Sequence, residues 1–401
     1  MNKNQLLVLI LLIMLPQIVE TVYSPALPQL AEAFSVSASQ MSQTLSMYFV
    51  GFAFGILLWG ILSDYIGRKP VLILGLLLYS LCSFSILYIH DFTLLLWLRM
   101  ASGMSIAVGS VITQIMFRDR FTAEQMIPLF SWIGICIAIS PSIGILIGTL
   151  LTTSQGYRGV FYFLALSSAF CLILSLLFTR ETSTPTTETA VLREETAKAV
   201  QSPSRQHHQQ ISLFKLIKDL INDPKVICFA SVITAYNLLI FSYYLKSSFL
   251  FEQYPTAAVW LPWSGVYLSI GALVGVGLNH MLRARFAPQH ASRILSLSAV
   301  ICTFGSILTA FFAHSSYFFV PMFLIMMAYS MAIPILLALA LSHYVQHKGI
   351  ASAVLGFMYS IAIGLGLEAL QYLADLGQTF VILSLVISLM TIWIQRQRWL
   401  S

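Results

Sequence analysis

The chain has 401 residues; 58% are apolar, 9% are charged, and the mean hydropathy is +0.85. No water-soluble fold of that length buries so much hydrocarbon, so soluble enzymes and soluble binding domains are excluded and the solvent must be lipid. The formal net charge of +6 needs no nucleic-acid partner, because the basic residues gather in short loops on one side of the apolar segments.

A bilayer core of ~30 Å takes ~20 helical residues. Apolar stretches of that length predict twelve spans, over 6–29, 42–63, 71–89, 92–117, 127–152, 158–179, 226–251, 259–282, 292–313, 317–342, 349–371 and 376–395. The first begins like a signal peptide, with Lys3 ahead of Leu6 to Leu15, but stays apolar through Tyr23 without a small-residue cleavage site. It therefore reads as a retained helix. Glu20 lies deep within it, and Pro25 with Pro28 weakens the helix just beyond, freeing backbone carbonyls toward a cavity. Between the second and third spans, Trp59 to Pro70 packs a charge cluster into a tight turn. Gly60 and Gly67 let backbones approach and turn sharply, Asp64 is placed to accept from a neighbouring helix end, and Arg68 with Lys69 holds the turn at the inner face. A generic basic turn accounts for the two bases but not for the spacing of two glycines, an acid and a paired base.

The fourth span carries Arg99, followed by the small residues Ala101, Ser102 and Gly103. The fifth carries Gly134, Pro141, Gly144 and Gly148; small residues four apart allow close helix packing, and the proline bends the span. After the sixth span, residues 181–225 turn polar, with Pro185, Pro203 and many Thr and Glu. Ile211, Leu213, Phe214, Leu216, Ile217, Leu220 and Ile221 then repeat at helical spacing, which predicts an amphipathic helix on the inner leaflet with Lys215 and Lys218 near the phosphates. His207 and His208 fit a solvated loop better than a metal site. The linker divides the spans six and six, predicting an N-terminal half over 1–180 and a C-terminal half over 226–401.

Lys3, Arg68, Lys69, Arg118, Arg120, Arg180, Arg283, Arg285, Arg293, Lys348, Arg396 and Arg398 fall on one side of this topology, and Arg158 on the other. Both termini are therefore expected in the cytoplasm. The cysteines at 82, 136, 171, 228 and 302 all fall inside spans, as buried small residues rather than disulfides or metal ligands. Ionisable groups within the bilayer are costly unless paired or wet, which singles out Glu20, Arg99, Lys246 and Glu368. Glu20 reads as a proton or substrate site, or as a partner to a neighbouring helix. Arg99 cannot lose its proton, so it serves as a counter-charge to a mobile carboxylate or as a fixed bridge to carbonyls. Lys246 either snorkels to the outer interface or meets an anionic substrate; Glu368 is a second proton site or an interface acid close to Asp375. Tyr23, Tyr48, Phe52, Tyr236, Phe241, Tyr244 and Tyr359 offer rings to flat or cationic ligands. No glycine-rich phosphate loop and no paired-histidine helix motif is present, which argues against an ATPase or a metalloprotease.

The Trp59 to Pro70 string resembles motif A of the major facilitator superfamily. Arg99 with its small followers resembles motif B, and Gly134 to Gly148 resembles motif C, the antiporter signature. Glu20 with Tyr23, Pro25, Ala26, Leu27 and Pro28, and the run from Gly349 to Phe357, are similar to the first and eleventh helices of the Bcr/CflA subfamily of twelve-span drug/proton antiporters. Three departures stand out: Glu20 sits one residue before the usual acid position, which Thr21 fills; Ser140 replaces a glycine; and Ser247, Ser248 and Phe249 lack a proline. The resemblance implies an all-helical membrane protein, twelve helices in two six-helix halves. It implies proton-coupled efflux of small lipophilic compounds by alternating access across a bacterial inner membrane, by a monomer with no cofactor, metal or enzymatic activity. Glu20, Arg99 and Glu368 would couple protons; Gly60, Asp64, Gly67, Arg68 and Lys69 would form the cytoplasmic gate; Gly134, Pro141, Gly144 and Gly148 would form the antiporter helix. Tyr23, Tyr48, Phe52, Tyr236, Phe241, Lys246 and Tyr359 would line the cavity. Two alternatives remain: a dedicated metabolite or siderophore carrier, importing or exporting, and a non-transporting ligand-binding or signalling protein.

Overall fold

The computed structural model describes residues 3–121, 123–182, 213–285, 290–342, 344, 348–373, 375–397 and 399. Among them every regular element is helical. In chain order these are α1 (Lys3–Tyr23), α2 (Leu27–Ala33), α3 (Ala38–Ile66), α4 (Arg68–Ser85), α5 (Phe92–Arg120), α6 (Ala123–Phe178), α7 (Leu213–Asn222), α8 (Pro224–Gln253), α9 (Pro255–Ala258), α10 (Leu261–Arg285), α11 (His290–Phe312), α12 (Met322–Ala340), α13 (Lys348–Leu370) and α14 (Leu376–Arg396).

Polar caps set the helix ends. Ser37 and Gln40 form a reciprocal capping box at the start of α3, while Asp91, Asp223 and Asp375 cap α5, α8 and α14. Each satisfies N–H groups that a helix start leaves without partners. The caps carry α3 to Ala38–Ile66, beyond the expected 42–63. Pro25 and Pro28 act as expected: α1 gives way to a 3-10 turn over Ser24–Ala26 before α2.

Among the described residues, eleven helical stretches are long and apolar enough to cross a membrane. One of them, Ile133–Phe178, is 46 residues long, about 69 Å if straight, more than twice the hydrocarbon core. It breaks at Gly156, where φ is 68° and ψ −170°, a conformation that glycine alone adopts easily. The two arms make the crossings twelve, as the hydropathy pattern predicts. Gly67, with φ 95°, joins α3 directly to α4 at the basic end.

Within the N-terminal helices α3 packs on α5, and α1 on α6; within the C-terminal helices α10 packs on α12, and α11 on α14. The two sets meet through α3 with α13 and α6 with α10. The stretch containing His207, His208, Pro185 and Pro203 lies outside the described residues, as do the side chains of Lys3, Lys215, Arg283 and Arg285. The predicted amphipathic helix is present as α7, but it lies against α13 and α8 with Leu220 fully buried and Lys218 exposed. All five cysteines are free.

Candidate functional site

Close backbone contacts build the N-terminal part of the site. Gly51 in α3 faces the Met100 carbonyl and Gly103 in α5 faces the Tyr48 carbonyl; a Cβ at either glycine would lie 1.9 Å from the oxygen. This interlock sets Arg99 beside Tyr48 and Tyr23. Its guanidinium carbon stands 4.0 Å from the Tyr23 ring centre and 4.8 Å from that of Tyr48. Arg99 is only 1% exposed, and its Nε and Nη2 have no hydrogen-bond partner among the described residues. Desolvated ring contacts of this kind contribute ~2 kcal/mol each, which offsets part of the cost of burying a cation. Tyr23 is itself fixed: its hydroxyl donates to Thr44 Oγ1 at 2.9 Å, and Thr44 donates to the Met41 carbonyl at 2.7 Å.

Glu20 is buried, 5% exposed, within electrostatic reach of Arg99, Tyr48 and Tyr79 from α5, α3 and α4. It also reaches Tyr244, Tyr329 and Tyr359 from α8, α12 and α13. The carboxyl group is therefore enclosed among helices of both sets and shielded from lipid. The one-residue offset accords with the packing of α1. Thr21 seats against Gly144, where an added Cβ would meet its Oγ1 at 1.8 Å, and it donates to the Gln17 and Ile18 carbonyls. Position 21 thus belongs to the α1–α6 contact, and a step of ~100° turns position 20 toward Arg99. The expected partnership of Arg99 with a carboxylate takes another form here: Arg99 is held on ring faces, near Glu20 but not ion-paired with it.

The aromatic residues divide. Phe52 stacks on Tyr48, and Phe241 meets Phe49 across the seam between the two sets of helices at 4.4 Å. Tyr236 instead turns into the C-terminal helices, its hydroxyl 2.6 Å from Ser298 Oγ in α11. Tyr79 and Tyr329, both near Glu20, have no signature in the sequence.

Hydrogen bonds join the two sets of helices at the end opposite the basic loops and toward the middle. Ser248 donates to the Ser24 carbonyl at 2.7 Å, and Ser24 donates to the Tyr244 carbonyl. Gln43 donates to Glu368 Oε1 at 3.0 Å, and Ser142 to the Gly265 carbonyl at 2.6 Å. Glu368 is therefore an α3–α13 tie. Gly148 admits the Val22 carbonyl, with an added Cβ 2.4 Å from the oxygen, so both later glycines of the fifth span receive α1. The neighbour of Pro141, Ser140, donates to the Cys136 carbonyl at 2.8 Å. Lys246 is engaged by its own half: it donates to the Leu373 carbonyl and to Thr379 Oγ1, the latter at 3.0 Å. It ties α8 to the start of α14.

At the basic end Arg68 Nη1 reaches Asp64 Oδ1 at 2.5 Å and Ser63 Oγ at 3.0 Å, and its Nε lies 3.5 Å from Asp119 Oδ2. Lys69 Nζ donates to the Leu176 carbonyl at 3.0 Å. Two expectations are corrected. Asp64 accepts from Arg68, not from a helix end; Glu181 takes that place, its two oxygens each 3.0 Å from the backbone N–H of Arg68 and of Lys69. Among the described residues a Cβ at Gly60 would meet nothing within 4 Å, so this glycine does not mediate close approach; the same holds at Gly134. Asp119 and Glu181 were not singled out in the sequence, although each adjoins bases, Arg118 and Arg120 in one case and Arg180 in the other.

A family model described as Major Facilitator Superfamily matches residues 9–367. An uncharacterized transporter of Rickettsia bellii is 27% identical over 375 residues, covering 88% of this chain and 86% of that protein. A bicyclomycin resistance protein homolog of Haemophilus influenzae is 28% identical over 177 residues, 44% of each chain. Among solved structures, the partially occluded inward open form of the xylose transporter XylE from E. coli superposes with a TM-score of 0.73 at 14% identity, covering 98% of this chain and 97% of that one. At that identity the likeness establishes the fold.

Proposed function

The chain belongs to the major facilitator superfamily, and we propose that within it the protein exports small lipophilic compounds in exchange for protons, by alternating access of two six-helix halves, 1–180 and 226–401. The carrying observation is Glu20, a buried carboxyl group near Arg99 and near tyrosines from both halves. A group enclosed in this way changes surroundings whenever the halves rock, which proton coupling requires. Similarity to a protein named for bicyclomycin resistance supports efflux of an antibiotic-like compound. In this reading the basic end faces the cytoplasm, following the positive-inside rule, and the ties at Ser24, Gln43 and Ser142 are consistent with an inward-facing state.

In this reading Arg99, held on Tyr23 and Tyr48, exchanges its ring contacts for the Glu20 carboxylate in part of the cycle. The carboxyl group binds a proton when the two are apart and releases it when they pair. One proton entering across about 180 mV is worth roughly 4 kcal/mol, enough for about a thousandfold substrate gradient. Counterflow of a labelled compound in proteoliposomes tests transport itself: exchange against unlabelled compound supports a carrier, and saturable binding without exchange contradicts it.

The rival reading, a dedicated carrier of anionic metabolites, would draw on Lys246. Its bonds to Leu373 and Thr379 favour a structural role. Lys246→Ala is expected to cost about 1–3 kcal/mol of stability, seen as a lower thermal midpoint, and to reduce transport of acidic and cationic compounds alike; selective loss of acidic compounds would favour the rival.

Asp64 is proposed as the acid that latches the cytoplasmic side when the protein faces outward. Asp64→Asn is expected to raise, about threefold, the labelling rate of a cysteine placed at Ala353 in α13, by shifting the population inward. Equal rates in the variant and the parent would remove the latch.

A further inference from the structure

We propose that Glu181 holds the N-terminus of α4 in place of Asp64 and thereby keeps Asp64 free to act as the switching acid of the gate. The inference rests on the alternating-access reading above. A helix start presents unpaired N–H groups and a partial positive charge, which attract the nearest carboxylate. At α4 this demand falls on the turn itself, because Gly67 is the flanking residue and supplies no side-chain cap. The nearest acid along the chain is Asp64. Yet Arg68 N and Lys69 N are taken by Glu181, which comes from the far side of the sequence, 113 residues on from Arg68.

Glu181 is held for this task. The Thr182 N–H donates to its Oε1 at 3.0 Å, Arg120 Nη2 donates to its backbone carbonyl at 3.1 Å, and Thr182 Oγ1 donates to Asp119 Oδ2 at 3.2 Å. The exit of the sixth span is thus stapled to the α3–α4 turn and to the end of α5. Asp64, by contrast, keeps 70% of its side chain exposed and, among the described residues, is held by one ion pair, to Arg68, which also contacts Ser63 and Asp119. When Asp64 leaves, Arg68 retains two acceptors and the α4 N-terminus retains its own. If Glu181 loses its charge, the N–H groups of Arg68 and Lys69 draw on Asp64, which is then lost to the gate. Glu181 is therefore a positioning residue that acts through Asp64.

The test measures labelling of a cysteine at Ala353, near the basic end, and separately at Ser42, near the far end. The variants are Asp64→Asn, Glu181→Gln and the two together, each reconstituted in proteoliposomes without substrate. Glu181→Gln is expected to speed labelling at Ala353 about threefold, as Asp64→Asn does, and the double variant should go no further, because both act on one contact. Labelling at Ser42 should not rise. Unchanged labelling at Ala353 in Glu181→Gln, multiplicative effects in the double variant, or equal increases at both reporters from general loosening would each overturn the proposal. Proton-driven efflux by the parent, measured in the same proteoliposomes, tests the transport reading separately.

Discussion

Glu20→Gln is expected to abolish proton-driven efflux while leaving the folded protein in the membrane. The amide matches the carboxyl group in size and can occupy the same site beside Arg99 and the tyrosines, but it neither binds nor releases a proton at physiological pH. Efflux driven by a pH gradient should fall to the level of vesicles without protein. Substrate exchange without a gradient should survive in part, because it needs the halves to rock but no net proton movement. Undiminished proton-driven efflux would remove Glu20 from the mechanism, and loss of folded protein from the membrane would show a structural role instead.

The second large effect is mechanical. Gly103→Val places side-chain atoms where the Tyr48 carbonyl stands, 1.9 Å from an added Cβ. That neighbour is backbone in a packed helix, so α3 and α5 must separate, at a cost of about 3 kcal/mol or more. The separation also removes Tyr48 from Arg99, so thermal stability and transport should fall together. Gly60→Ala is the control: with nothing within 4 Å of the added Cβ, it should stabilise slightly by removing backbone freedom, by up to about 1 kcal/mol. Detergent-solubilised protein followed by thermal unfolding would separate the two; similar midpoints would contradict the packing described for α3 and α5.

These contrasts show which features the sequence made legible. Hydropathy and the two short breaks, at Gly67 and around Gly156, are local signals, and they placed all twelve crossings. The Pro25–Pro28 pair announced the 3-10 turn, and glycines four apart at 144 and 148 announced the seat for α1. The glycine reading failed at Gly60, because spacing identifies small residues but not which face of a helix has a neighbour. Glu20 was recognisable as costly in lipid, but its direction depends on Thr21 filling the contact with Gly144, a tertiary fact. Arg99 was recognisable as a cation costly in lipid, while its Tyr23 and Tyr48 stacking partners come from other helices. Glu181 was missed for the same reason: its bonds to Arg68 and Lys69 join segments far apart in the chain.

Transport into inside-out membrane vesicles tests direction and coupling together. The cytoplasmic face of such vesicles is outermost, so an exporter fills them, and an acidic lumen drives protons out in exchange. A lipophilic compound is expected to accumulate in inside-out vesicles with an acidic lumen and to be released when the gradient collapses, and the Glu20→Gln variant is expected to accumulate none. Accumulation confined to right-side-out vesicles, or accumulation indifferent to the proton gradient, would contradict proton-coupled export.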